Sequence, residues 1–351
     1  MMPAVIRQTR TAGKVWYLEW LRLAACLAVV LTHCFVTLLD NATIDEVGVL
    51  RSLCWTELLV VACRWAVPVF LMVTGALLLN PRKEIDAKKL SGYFFRILIV
   101  LLSFGTAYAL IEIIFNAKAL EWTMIPMAIA RVLQEKSWAH LWYLYDLLGI
   151  YLVLPLLRSF VAERSQKEMR NFLIALFIFS LIVPTINSAT GLEIKSLIWL
   201  GSSVFYVLLG WYLSAFDHHF SAFARLGILS LLAEIVLAAW GVCDLRTYLY
   251  WVWSPSSPFV ACWASTLFLF FKGNVDRPMR VGRLAESVTK HSFAIYLVHP
   301  IFANLLYKGL GWTPSMLPAG IFELVSFFLI FTLSYLLSII LKRIPVLRRY
   351  L

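Results

Sequence analysis

Ten runs of mostly apolar residues dominate this chain, and they leave few folds open to it. They lie at 16–38, 58–79, 93–115, 139–160, 171–188, 197–215, 224–242, 258–272, 291–309 and 319–342, the fifth and eighth being the shortest. A bilayer is crossed by a helix of about 20 such residues. Hydrocarbon offers no water to backbone amides, so a spanning segment of this length satisfies its own amides as a helix. The expected fold class is therefore all-α, a polytopic membrane helix bundle of about ten transmembrane helices embedded in the lipid bilayer. The composition agrees: 61% hydrophobic and 15% charged residues, with a mean hydropathy of +0.81, far from that of a soluble domain. A weaker apolar stretch, 122–133, is too short to span and carries Arg131; it reads as an interfacial or re-entrant helix.

Lysine and arginine set the orientation, because they concentrate on the cytoplasmic side. With the N-terminus in the cytoplasm, 21 of the 31 Lys and Arg fall on inner segments and 7 on outer ones, with Arg22, Arg64 and Arg96 inside spans. The bias recurs loop by loop. Both termini are then cytoplasmic, and the net charge of +11 reads as a topology signal rather than a nucleic-acid surface, so no nucleic-acid partner is expected. The basic-then-apolar start resembles a signal peptide. Its apolar run carries Arg22 and His33 and has no small-residue cleavage site after it, so it reads as a retained first span. The organisation is a tail at 1–15, one transmembrane domain at 16–342 and a basic tail at 343–351. No soluble domain fits between spans, and no internal repeat of the kind common in transporters stands out.

Six cysteines are present, none at metal-ligand spacing. Most sit in apolar runs, where cysteine behaves as a small hydrophobe. Cys54 and Cys243 both map near the outer face and are a candidate disulfide pair. No metal site is expected.

Ionisable residues in lipid are expensive and are usually kept for function. Arg22 and His33 are eleven residues apart in the first span. That separation advances about 16 Å and turns to within about 20° of whole turns, so both lie on one stripe of one helix. Arg96 stands near the start of the third span. Arg64, seven residues after Glu57, reads first as half of an ion pair on one helix face. Glu112, Asp146 and Glu234 are acids in apolar surroundings, each either neutral or paired with a bundle cation. His140 opens the fourth span. His299 lies inside the ninth, followed by Pro300, which removes a backbone donor and loosens the helix. Each also has a purely structural reading: a histidine bonded to a backbone carbonyl, or an arginine reaching to the headgroups. Aromatics cluster at 248–253 and again at Trp138, Trp142, Tyr143 and Tyr145, either as an interfacial belt or as a platform for sugar rings.

These pieces together resemble the acyltransferase-3 family of integral membrane O-acyltransferases. Arg22 and His33 resemble its first-span signature. Residues 68–75 (PVFLMVTG) are similar to its Phe-rich Ser-Gly segment, with Thr74 where serine is usual. Phe94, Phe95 and Arg96 resemble its third-span arginine motif. Residues 140–155, starting with His140 and Trp142, and 291–299, including Tyr296 and His299, resemble two later segments. The pattern looks closest to the branch that O-acetylates enterobacterial common antigen.

The resemblance implies transfer of an acetyl group from cytoplasmic acetyl-CoA to a hydroxyl of a cell-envelope glycan or lipid-linked saccharide, in the bacterial cytoplasmic membrane, with no permanently bound cofactor. His33 would be the general base or an acyl carrier. Arg22 and Arg96 would hold the CoA phosphates or the developing oxyanion. His299, Thr74, Tyr296, His140 and Trp142 would line the acceptor side. The esterase-like domain fused to some members after the last span is not expected here. Two other readings remain: a transporter or flippase for a lipid-linked sugar or small anion, and a non-catalytic assembly or sensory protein.

Overall fold

The computed structural model describes residues 15–41, 56, 58–81, 83–118, 121–196, 201–243, 254–275 and 282–351. Among them the chain is helical throughout, with no strand. We number the helices α1 (Trp16–Asn41), α2 (Ala66–Leu78), α3 (Ala87–Ala117), α4 (Met124–Leu133), α5 (Trp142–Ala162), α6 (Gln166–Thr190), α7 (Ser202–Ala215), α8 (Phe220–Cys243), α9 (Pro258–Asn274), α10 (Gly282–Asn304), α11 (Ile321–Arg343) and α12 (Pro345–Arg348).

Among the described residues, seven stretches are long and apolar enough to cross a membrane: Trp16–Leu38, Leu58–Leu78, Ala87–Ala117, Ala139–Ala162, Gln166–Thr190, Phe220–Leu237 and Ile321–Arg343. The other three apolar windows also fall on helices. α7 has only 14 residues and α9 only 17, and α10 begins with the charged residues Arg283, Glu286 and Lys290 before its apolar part. The expected short element at 122–133 is α4, a ten-residue helix. It packs Met124, Ala128 and Val132 inward and leaves Trp122, Met127 and Leu133 exposed. Arg131 of α4 pairs with Glu112 of α3 at 3.2 Å, so one of the three isolated acids has its partner.

The bundle has the polarity of a membrane protein. α11 shows this on one helix. Ser326, Ser334 and Ser338 are fully buried, while Leu324, Phe328 and Leu336 face outward. Lipid provides no hydrophobic drive between helices, so small and polar residues pack inward and large apolar ones face the chains of the lipid.

Two helices form the centre. α7 buries every residue from Phe205 to Leu213, and it lies against α2. Their backbones touch. A Cβ built on Gly75 would stand 1.8 Å from the carbonyl oxygen of Val207, and one on Gly210 would stand 2.0 Å from that of Met72. Only glycine allows this approach, so the Thr74-Gly75 motif read in the sequence has a packing role.

Local sequence explains the breaks. The second span is interrupted at Arg64–Trp65, where Arg64 N–H bonds the Val61 carbonyl instead of one four residues back. Pro68 removes the donor that would have reached Arg64. α6 widens into a π-helical turn at Ile178–Ile182, just before Pro184. Asp86 caps α3 by accepting from Lys89 N–H at 2.7 Å, and Ser165 and Glu168 form a capping box on α6. Arg158, counted in the sequence as a topology signal, also closes the turn after α2. It donates to the carbonyls of Leu78, Asn80 and Lys83.

Candidate functional site: a triangle of imidazoles

α1 presents His33, α10 presents His299, and the short 3-10 turn Ala139–Leu141 before α5 presents His140. The three rings form a triangle. Their centroids are 5.1 Å apart for His33 and His299, 5.7 Å for His140 and His299, and 6.3 Å for His33 and His140. His140 and His299 are buried, whereas His33 opens onto a cavity of about 240 Å³. Thr32 of α1, Arg64 of the second span, Trp142 of α5, Ser202 of α7 and Ser256 before α9 complete its polar lining. The Arg64 guanidinium is close enough to act on the His33 ring. Among the described residues, no group of three or more His, Cys, Asp or Glu is arranged to hold a metal ion.

His299 Nδ1 lies 3.2 Å from the Ile295 carbonyl. A carbonyl only accepts, so this nitrogen carries the proton and Nε2 presents a lone pair. That Nε2, the Nε2 of His140 and the hydroxyl of Thr32 are buried with no hydrogen-bond partner among the described residues. Buried polar atoms are nearly always satisfied. Three exceptions around one set of rings mark where a polar ligand or solvent would sit.

A column of tyrosines runs from this triangle towards the end where α1 begins. The Tyr296 hydroxyl donates to the His140 carbonyl. Its ring is 5.8 Å from that of Tyr143. Tyr143 is in hydrogen-bonding reach of Thr74 and close to Tyr151, and Tyr151 lies 6.0 Å from Tyr93. Arg96 and Arg22 act on Tyr151 and on each other. The column is packed side chains, and Thr74 also returns its hydroxyl to the Phe70 carbonyl at 2.9 Å.

The residues expected from sequence therefore fall into two groups. His33, His140, His299, Tyr296 and Trp142 come together at one end, with Thr74 one step along the column. Arg22 and Arg96 form the other group. Arg22 shares the stripe of α1 with His33 but pairs with Glu19 at 3.3 Å and keeps 40% of its side chain exposed. Arg96 donates to the main-chain oxygens of Tyr350 at 2.7 Å and Leu351 at 3.0 Å, with Phe293 beneath its guanidinium.

The cation beside His33 is Arg64, which the sequence reading had assigned to Glu57. Glu57 lies outside the described residues, as do Cys54 and the aromatic cluster at 248–253. The Cys243 side chain is not described either. The signal for Arg64 was available, since a mid-span arginine is a functional hypothesis by default. Glu234, fully buried in α8, acts electrostatically on Arg64. Asp146 accepts from the Ser203 hydroxyl. No sequence signal pointed to Ser202 or Ser256; Tyr151 lay within the 140–155 segment and Tyr93 beside the Arg96 motif, without a role assigned to either.

Proton acceptors and a permanent cation around a cavity inside a membrane bundle mark a functional site, in an enzyme and in a transporter alike. A family model described as an acyltransferase domain, that of the acyltransferase-3 family, matches residues 15–343. The chain belongs to that family and is a multi-pass membrane acyltransferase. No curated protein and no solved structure matches it.

Proposed function

We propose that this acyltransferase moves an acetyl group from cytoplasmic acetyl-CoA to a hydroxyl of a cell-envelope glycan or lipid-linked saccharide, in the cytoplasmic membrane of a bacterium. The observation that carries the reading is the imidazole triangle with His33 open to a cavity in an acyltransferase-3 chain. In a ten-span topology with both termini cytoplasmic, the Arg22–Arg96 pair faces the cytoplasm, where an anionic donor arrives, and His33 lies about 16 Å further along α1. The motif pattern favours enterobacterial common antigen among the possible glycans.

His33 takes the proton of the acceptor hydroxyl as its oxygen attacks the thioester carbonyl. A neutral imidazole is the side chain best suited to take a hydroxyl proton and return it. The new C–O bond forms, the carbonyl electrons move to oxygen, and Arg64 steadies that charge as a fixed cation. Collapse breaks the C–S bond, and the departing CoA thiolate takes the proton from His33. His299, whose Nε2 is bare, holds His33 in place and offers a second proton site. Arg22 and Arg96 bind the CoA phosphates.

The test uses purified protein in nanodiscs, acetyl-labelled acetyl-CoA and an envelope glycan extract. Free CoA thiol and label on glycan are expected together, and Arg64→Gln should slow transfer about 10²-fold, as loss of an oxyanion donor does. A flippase or transporter would leave the thioester intact, and that result would end the proposal.

A further inference from the structure

A second cavity, of about 380 Å³, lies beside the first. Its size falls in the usual range of ligand pockets, roughly 300–1,000 Å³. Gln134, Glu135, Ser137, Trp138, Trp142 and Tyr145 are among the residues that line it. Trp142 lines both cavities, so the pocket adjoins the space in front of His33.

The pocket is built rather than incidental. Trp138 is stacked on Tyr108 with centroids 4.3 Å apart and planes 5° from parallel, which fixes its orientation. Tyr145 donates its hydroxyl to the Val132 carbonyl, and Ser137 donates to Gly105 at 2.8 Å. Glu135 holds a left-handed φ of 57°, where a side chain other than glycine is uncommon. Its backbone is pinned by bonds from Glu135 N–H to Val132 and from Lys136 N–H to Arg131. Among the described residues, neither the Glu135 carboxylate nor the Gln134 amide makes a side-chain hydrogen bond.

Aromatic rings together with a carboxylate and an amide around one pocket match a specific chemistry. A pyranose ring has a face of C–H bonds that packs on an indole and an edge of hydroxyls that donate to carboxylate and amide oxygens. We propose that this pocket is a saccharide subsite. It takes a neutral pyranose ring of the acceptor, with Trp138 as the stacking platform and Glu135 and Gln134 as hydroxyl partners, and Trp142 leads from it to His33. The assignment rests on the transferase reading above for why a sugar should sit there.

The experiment is run without acetyl-CoA, so that its outcome is separate from that of the transfer assay. Nanodisc-embedded full-length protein is probed by saturation-transfer NMR with methyl glycosides of glucose, galactose, mannose and N-acetylglucosamine. Binding of at least one pyranoside is expected, weakened ten-fold or more in Glu135→Gln and in Trp138→Leu. The lipid-facing control Leu333→Ala should bind as the unmodified protein does. Trp138→Leu also loses its stacking on Tyr108, so Glu135→Gln, on an exposed turn, decides the matter if the tryptophan variant misfolds. Absence of binding by all four sugars overturns the assignment. So does undiminished binding in Glu135→Gln. Displacement of the sugar by tetramethylammonium would overturn it too, because it would show an aromatic cage for cations. Failure here with intact acyl transfer would leave the proposed function standing.

Discussion

His33→Ala is expected to lower acetyl transfer by about 10²–10⁴-fold, the usual worth of a positioned general base. The reason lies in the triangle. His140 and His299 are buried, and only His33 opens to the cavity where a hydroxyl and a thioester can meet. His299 stands 5.1 Å away, ring centre to ring centre, too far to replace the lost nitrogen at the reacting atoms without movement. Single-turnover loss of acetyl-CoA thioester in nanodiscs measures the effect. His33→Gln keeps polarity and volume better and should fail to the same degree if proton transfer is what is lost. Size-exclusion and thermal-melting profiles like those of the unmodified protein exclude misfolding. Transfer at an undiminished rate in either variant would remove His33 from its role. Rapid-quench mass spectrometry of the active enzyme separates the direct route from an acetyl-histidine, which would appear as a transient mass increment on the peptide containing His33.

The second large effect concerns stability. Gly75→Leu is expected to destroy the folded bundle. Even the first added carbon would stand 1.8 Å from the Val207 carbonyl oxygen, and the obstacle is backbone, which has no rotamer to change. Overpacking a core with side chains costs about 1–3 kcal/mol; prising two central helices apart exceeds that range. Gly210→Ala meets the Met72 carbonyl at 2.0 Å and should lower the melting midpoint strongly. Gly149→Ala is the matched control. It sits inside α5 with nothing within 4 Å of the added carbon, and removing a helical glycine is worth roughly 0.5–1 kcal/mol of added stability. A Gly75→Ala protein that melts like the parent would show that α2 and α7 are not in backbone contact.

Much of the helix order was legible in the sequence because hydrocarbon leaves a spanning chain few choices. Among the described residues every apolar window overlaps a helix, and the short window at 122–133 became α4 for the reason of length alone. The Arg22–His33 stripe was legible from helix geometry. Its weakness was also legible, since Glu19 lies one turn before Arg22 and takes it as an ion-pair partner. The imidazole triangle was not. His33, His140 and His299 stand on three different helical segments, and only the tertiary packing of α1, α5 and α10 makes them neighbours. The place of Arg64 beside His33 was not legible, because it follows from a cavity formed only in three dimensions; its expected pairing with Glu57 falls outside the described residues. The partners of Arg96, at residues 350 and 351, come from the opposite end of the chain, and no local pattern announces them.

The glycine crossing of α2 and α7 has a mechanical corollary. α2 ends the span that supplies Arg64, and α7 begins at the serine-bearing wall of the same cavity. Two rods in backbone contact cannot slide past each other, so the wall that carries Arg64 and the wall that carries the serines move as one piece.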